Sequence, residues 1–207
     1  MPTTSTRLRT DAAANRERIV QVARTAFGDD GLDVPMSEIA RRAGVGVATL
    51  YRRFPTREAL VAEAFTEEMT TCARLLDRAL ADPDPWRAFS RVIVEVCAMH
   101  ARDRGFSAAF VTAFPHAAAF AALRERTERG LAELVRRAQA SGDLRTDFDV
   151  SDIALVLQAN RGIRLATPDE TAAASHRFVA YLLQSFRAGA ARPLPPPVPV
   201  PFEAAMR

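Results

Sequence analysis

Apolar positions along this chain recur mostly three and four residues apart, a spacing that predicts helices from one end to the other. From Asn15 the series Ile19, Val22, Ala23, Ala26 and Phe27 marks a first amphipathic helix, which stops at Gly28 to Gly31. A second, short helix starts near Pro35, whose fixed φ and missing N–H cost nothing in a first turn, and it turns Ile39, Ala40 and Ala43 inward. Gly44 follows, where a residue without a Cβ takes the φ > 0 that a sharp turn needs. Val45 closes the corner, Gly46 caps the next element, and a third helix covers Val47 to Phe54 until Pro55 ends it. Leu50 and Phe54, four apart, point to the core, which leaves Val47, Ala48, Thr49, Tyr51 and Arg52 facing outward. Two short helices around a Gly turn, backed by a third, have the outline of a helix-turn-helix.

Past Pro55 the pattern lengthens. Thr56 opens a helix that carries Leu60, Val61, Phe65, Met69, Cys72, Leu75, Leu76 and Leu80 as far as Asp82-Pro-Asp-Pro85. The spacing predicts one unbroken rod of about 24 residues, roughly 36 Å at 1.5 Å per residue. Between Trp86 and Asp103, the polar positions Arg87, Arg91, Glu95 and Arg102 form a narrow stripe on an otherwise apolar helix, which must therefore be covered on several sides. Phe106, Phe110 and Phe114 recur every fourth residue to Pro115, and a further helix runs from about Ala117 to Ser141-Gly142. Residues 150–166 and 168–188 make the last two helices, with more apolar positions than one monomer core requires. From Arg192 the chain is Pro-rich and predicted to be extended or disordered.

Charge sharpens this picture. All 28 basic residues are Arg, and residues 1–60 hold ten of them against seven acids while the remainder balances at eighteen against eighteen, so the surplus lies with the helix-turn-helix. A polyanion would bind there. Two cysteines, Cys72 and Cys97, are too few for a disulfide framework. The absence of an apolar leader or an 18-residue apolar span predicts a cytoplasmic protein with no membrane partner.

The outward face of the third helix is small at its start and then offers a hydroxyl, a phenol and a guanidinium, which suits a major groove: small residues permit close approach and the rest reach base edges and phosphates. In the second half, Phe89, Ile93, Cys97, His100, Phe110, Phe114 and His116 are candidate walls of a small-molecule pocket, since apolar cavities with few polar anchors hold such ligands. Asn160, Arg161 and Arg164 stand in an otherwise apolar helix and either anchor a polar ligand group or satisfy the seam between helices. Cys97, His100 and His116 also raise a metal site, for a metal-responsive regulator or a metal-dependent enzyme with a DNA-binding head, although a tetrahedral site needs further ligands from distant acids. No nucleophilic triad, phosphate loop or carboxylate pair points to catalysis, and no cofactor is implied. A DNA-compacting architectural protein is a third reading.

Ala26-Phe27, Gly31, Ile39-Ala40, Ala43-Gly44-Val45, Thr49-Leu50-Tyr51, Phe54, Arg57-Glu58 and Leu60 together resemble the TetR family of transcriptional regulators, over about the first 65 residues. The resemblance implies an all-α homodimer: a three-helix head on an operator, joined by a long helix to a C-terminal bundle with a ligand cavity and a seam formed by the last two helices. It also implies DNA contacts by Arg42, Thr49, Tyr51, Arg52 and Arg57, double-stranded operator DNA as partner, a small-molecule effector, and most often repression. The hydroxyl residues frequent in the family fall here on Val34 or Pro35 and on Gly46. The expected organisation is a flexible basic arm over 1–13, the head over 14–60, the effector and dimer domain over 61–190, and a Pro-rich tail over 191–207.

Overall fold

The computed structural model describes residues 4–112, 121–190 and 192–197, and these are helical with no named strand. In chain order the helices are α1 (Thr4–Asp29), α2 (Met36–Arg42), α3 (Val47–Arg53), α4 (Arg57–Ala64), α5 (Thr66–Leu80), α6 (Pro85–Arg102), α7 (Arg104–Thr112), α8 (Ala121–Ala140), α9 (Ser151–Arg161) and α10 (Pro168–Ser185). The all-α architecture is the one expected. None of these helices is long and apolar enough to cross a membrane.

Helices α1 to α4 close around Ile19, Phe27, Ile39, Leu50, Phe54 and Leu60, each at most 1% exposed. The turn after α2 follows from Gly44, which sits at φ 63°. There the Gly44 N–H reaches the Arg41 carbonyl at 3.1 Å and the Val45 N–H reaches the Ala40 carbonyl at 3.0 Å, the paired closure that a left-handed residue permits at a helix end.

Two expectations are corrected. The first helix begins at Thr4, so residues 4–13, read from sequence as an arm, form its opening turns. The predicted single rod from Thr56 is two helices, broken at Phe65, whose φ of −120° and ψ of 16° leave the helical region. The cause is packing. Phe65 is fully buried, with Phe27 and Phe106 each 6.3 Å away between ring centroids, and it turns out of register to fill that site. The break lets α4 bury Leu60, Val61 and Ala64 in the head while α5 buries Leu75, Leu76 and Ala79 in the bundle.

Helix α6 is the centre of the second half and packs against α5, α7, α8, α9 and α10, as its nearly all-round apolar surface requires. Asp84 caps its start by accepting the Arg87 N–H at 2.9 Å. Beside it, Phe89, Phe148 and Phe186 form an edge-to-face cluster with centroids 4.9 to 6.4 Å apart. The tail is tethered at its root: Arg145, 7% exposed, pairs with both oxygens of Asp147 and donates to the Arg192 carbonyl at 2.7 Å, while the Leu194 N–H donates to Asp147 at 2.8 Å.

Head and bundle meet at a tight joint. A Cβ on Gly105 of α7 would lie 2.9 Å from the Gly28 nitrogen and 2.9 Å from the Phe65 ring, so only Gly allows α7 this close to α1. Alongside, Arg24 of α1 forms ion pairs with Glu68 of α5 and, at 2.9 Å, with Asp103 at the α6–α7 corner.

Candidate nucleic-acid interface and effector cavity

Helix α3 starts on Gly46, which offers no side-chain cap; the Thr49 and Leu50 N–H groups bond its carbonyl at 2.9 and 3.0 Å. Burial of Leu50 and Phe54 fixes the rotation of the helix about its axis. Val47 and Tyr51 are thereby 43% and 46% exposed, Ala48 and Arg52 are exposed, and Thr49 is half-buried. These five residues form one continuous outer face. The Arg52 guanidinium has no hydrogen bond or ion pair to the described residues, so its charge is available to a ligand.

Arg53 likewise makes no side-chain hydrogen bond or ion pair to the described residues, whereas Arg16, Arg41, Arg42 and Arg57 are engaged. Arg41 and Arg42 both bond Glu38, at 2.7 to 2.8 Å, and Arg42 also reaches Asp30 at 2.6 Å. Their hydrogen bonds, from Arg41 first and then Arg42, draw the Glu38 carboxyl down to about 2. Arg16 pairs with Glu63 at 3.0 Å and stacks 4.5 Å over the Phe54 ring. Arg57, which the family pattern casts as a phosphate contact, donates from Nη1 to the Leu32 and Val34 carbonyls at 2.5 and 2.6 Å. In this geometry Arg57 straps the α1–α2 loop to α4. Pro35 is the residue flanking α2 and makes no side-chain cap, as its chemistry dictates.

In the second half, four helices line a partly open apolar cavity. Helix α5 supplies Met69, Cys72 and Leu76, and α6 supplies Val92, Ile93 and Val96. Thr127 and Leu131 of α8 face Ile153 and Leu157 of α9 across it. The cavity volume is about 50 Å³.

Of the sequence-predicted pocket residues whose side chains the structure describes, Ile93 alone lines this cavity. Phe89 lies instead in the aromatic cluster with Phe148 and Phe186, because two distant segments fold onto it. Asn160 is fully buried and satisfied, donating to the Cys97 carbonyl at 3.0 Å and accepting from the Ser175 hydroxyl at 2.7 Å, so it locks α9 to α6 and α10 within one chain. His100 is buried with Nδ1 3.1 Å from the Ser107 hydroxyl. Burial, then the charges of Arg161 and Arg164, lower its pKa to about 3, and it stays neutral. Arg161 is half-buried at the end of α9 and acts on His100 through its charge. The Phe110 side chain, Phe114 and His116 lie outside the described residues.

Cys97 and His100 share α6, but burial pushes the Cys97 thiol up to about 12, against the thiolate a metal needs. Among the described residues no group of three His, Cys, Asp or Glu side chains could hold a metal ion. The cavity residues that sequence reasoning passed over, Met69, Cys72, Leu76, Thr127 and Leu131, come from helices far apart in the chain. One local signal exists: Gly130, in mid-helix, where a Cβ would sit 2.7 Å from the Leu76 side chain, marks the close approach of α8 to α5.

Comparison with known proteins agrees with this layout. Residues 19–64 match the family model described as bacterial regulatory proteins, tetR family, and residues 84–188 match the SbtR-like transcriptional regulator C-terminal domain. The crystal structure of a TetR transcription regulatory protein from Mycobacterium vanbaalenii is 32% identical, covers 87% of this chain and 99% of its own, and superposes with a TM-score of 0.50. PfmR from Thermus thermophilus shares the fold at 20% identity, with 81% and 97% of the two chains covered and a TM-score of 0.59. FadR from Bacillus subtilis, solved with stearoyl-CoA, does so at 17% identity, 85% and 99% coverage and a TM-score of 0.58. An HTH-type transcriptional regulator of Staphylococcus aureus (strain bovine RF122 / ET3-1) is 34% identical over 65 residues, 31% of this chain and 35% of that protein. The chain thus spans about a third of the length of the curated relatives it matches. A helix-turn-helix with an open polar face, an all-helical second half, and family matches across both place the function in gene control: the chain belongs to the TetR family of bacterial transcriptional regulators.

Proposed function

We propose that this regulator is a homodimeric repressor that leaves a near-palindromic operator when a small molecule occupies its second half. The observation that carries the DNA reading is the outer face of α3, where Val47, Ala48 and Thr49 allow close approach to a major groove and Tyr51 and Arg52 reach base edges and phosphates. Arg42 and Arg57 serve this face as braces, given their bonds to Glu38, Asp30 and the loop carbonyls.

Two heads reading successive major grooves require a dimer with fixed head spacing. The dimer reading is supported by α9 and α10, which leave Leu155 47% and Tyr181 57% exposed. Ala159 on α9 and Ala173 and Ala180 on α10 are also exposed, and small side chains favour close helix crossing. FadR, which shares the fold, was solved with stearoyl-CoA, and this supports a small-molecule effector here. Release demands that the effector prefer the non-binding state; equal affinity for both would shift nothing.

The test is Tyr51→Ala combined with Arg52→Ala, assayed on an operator selected from random DNA. Specific binding should be lost while sedimentation still reports the wild-type oligomer. Full retained affinity would remove α3 from the recognition role.

A further inference from the structure

We propose that the cavity between α5, α6, α8 and α9 selects an uncharged hydrocarbon or aryl effector, and that its occupant acts on the head by displacing Met69. This deepens the reading of a ligand-responsive regulator and rests on it. The first argument is chemical. Among the described residues no cavity-lining side chain carries a charge at neutral pH, and the two polar ones are already engaged: the Thr127 hydroxyl donates to the Leu123 carbonyl at 2.9 Å and the Cys72 sulfur lies 3.8 Å from that of Met99. A carboxylate or phosphate placed here would lose its water and find no cation among the described lining residues, which costs several kcal/mol per ion. The nearest carboxylate, Glu68, one turn before Cys72, is already paired with Arg24; burial first, and then the Glu68 charge, push the Cys72 thiol up to about 12, so the thiol stays protonated.

The second argument is about space. At about 50 Å³ the cavity is far below the roughly 300 Å³ of a ligand pocket, so an occupant must move the wall. On the α8 side Gly130 already brings the helix backbone against the Leu76 side chain, which leaves little room there. The α5 end is the soft one. Met69 has three rotatable bonds and a polarizable sulfur, and such side chains rearrange most readily. Met69 also belongs to the head's apolar core, with Phe65, Leu60 and Phe27, rather than to the core around α6. A ligand that pushes Met69 therefore presses on the Phe65 break and on α4, which carries the head. The cavity lies at the seam of the two cores.

The experiment uses the full chain and the uncharged fluorophore N-phenyl-1-naphthylamine, displaced in parallel by 1-ethylnaphthalene and by 1-naphthylacetate, which share a ring system and differ in charge. We expect one saturable site per chain and displacement by the hydrocarbon at a concentration at least about tenfold lower than by the carboxylate. Val96→Phe, which fills the cavity, should abolish fluorophore binding, and Leu131→Ala, which enlarges it, should tighten binding; the second variant decides the matter if the first fails to fold. Equal displacement by the two naphthalenes, or binding unchanged in the folded variants, overturns the proposal. Operator affinity measured at saturating 1-ethylnaphthalene separates this from the underlying reading. Binding without any change in operator affinity refutes ligand control while the cavity chemistry stands. Release of DNA by an anionic amphiphile alone preserves ligand control and refutes the cavity assignment.

Discussion

Replacing Arg57 by Met keeps an unbranched apolar stem and removes the guanidinium, with its charge and its two hydrogen bonds to the Leu32 and Val34 carbonyls. Hydrogen bonds from a charged donor contribute about 1.5–3 kcal/mol each. Both bonds leave the same nitrogen, and Arg57 is half-exposed, so water can replace part of what is lost. A total near 2–3 kcal/mol follows, at or below the bottom of the roughly 3–6 kcal/mol that two independent bonds would give. For a chain of this size each kcal/mol moves the melting midpoint by about 2–4 °C, so circular dichroism should report a drop of roughly 5–10 °C. The same variant decides the other role assigned to Arg57 by family pattern. A phosphate contact would flatten the salt dependence of operator binding, lowering the slope of log K against log salt by about 0.9. The brace predicts an unchanged slope, measured at a temperature where the variant is folded. A wild-type melting midpoint together with a slope reduced by about 0.9 would refute the reasoning.

Three further outcomes are expected. Gly105→Ala forces a methyl group to within 2.9 Å of the Gly28 backbone and should cost about 1–3 kcal/mol in denaturant unfolding, whereas Gly189→Ala, where no atom lies within 4 Å, should be close to neutral. Asn160→Leu leaves the Cys97 carbonyl without its side-chain donor and the Ser175 hydroxyl without its acceptor; a loss of about 2–5 kcal/mol should appear in urea titration, and a neutral effect would deny the lock between α9, α6 and α10. His100 has its folded pKa lowered from 6.5 to about 3 by burial and by Arg161 and Arg164, so the unfolded chain binds the extra proton first. Stability from this group is present above pH 6.5 and falls as the pH drops toward 3, by up to about 1.4 kcal/mol per pH unit; His100→Gln should remove that slope between pH 6.5 and about 5.

What could be read from the chain, and what could not, divides by the range of the interactions involved. The helix-turn-helix was legible because its determinants are local: Gly44 supplies the turn, and Leu50 and Phe54, one helical turn apart, orient α3. The break at Phe65 was not, since Val61, Phe65 and Met69 continue an unbroken helical spacing and only Phe27 and Phe106, brought in by folding, decide where Phe65 goes. Phe89 shows the same limit. Its spacing on α6 fits a pocket wall as well as a core, and Phe148 and Phe186 settle the matter from about 60 and 100 residues away. Guanidinium groups were the hardest to read. Arg52 and Arg57 are five residues apart, yet one is open to solvent and the other is spent on carbonyl groups of its own chain.

The contact between Gly28 and Gly105 bears on how such a regulator can diverge. Were head and bundle independent modules, evolution or an engineer could exchange the DNA-reading half freely among relatives. Here the demand falls unequally on the two sides: a Cβ added at Gly28 would meet nothing within 4 Å, whereas one added at Gly105 strikes the α1 backbone and the Phe65 ring. A transplanted head may therefore vary at position 28, provided that its α1 ends along the same path and the bundle keeps Gly105. A head that lacks Arg24 leaves Glu68 and Asp103 side by side without their shared cation. With α3 as the proposed reading helix, new operator specificity is most readily acquired on its outer face, with the joint inherited whole.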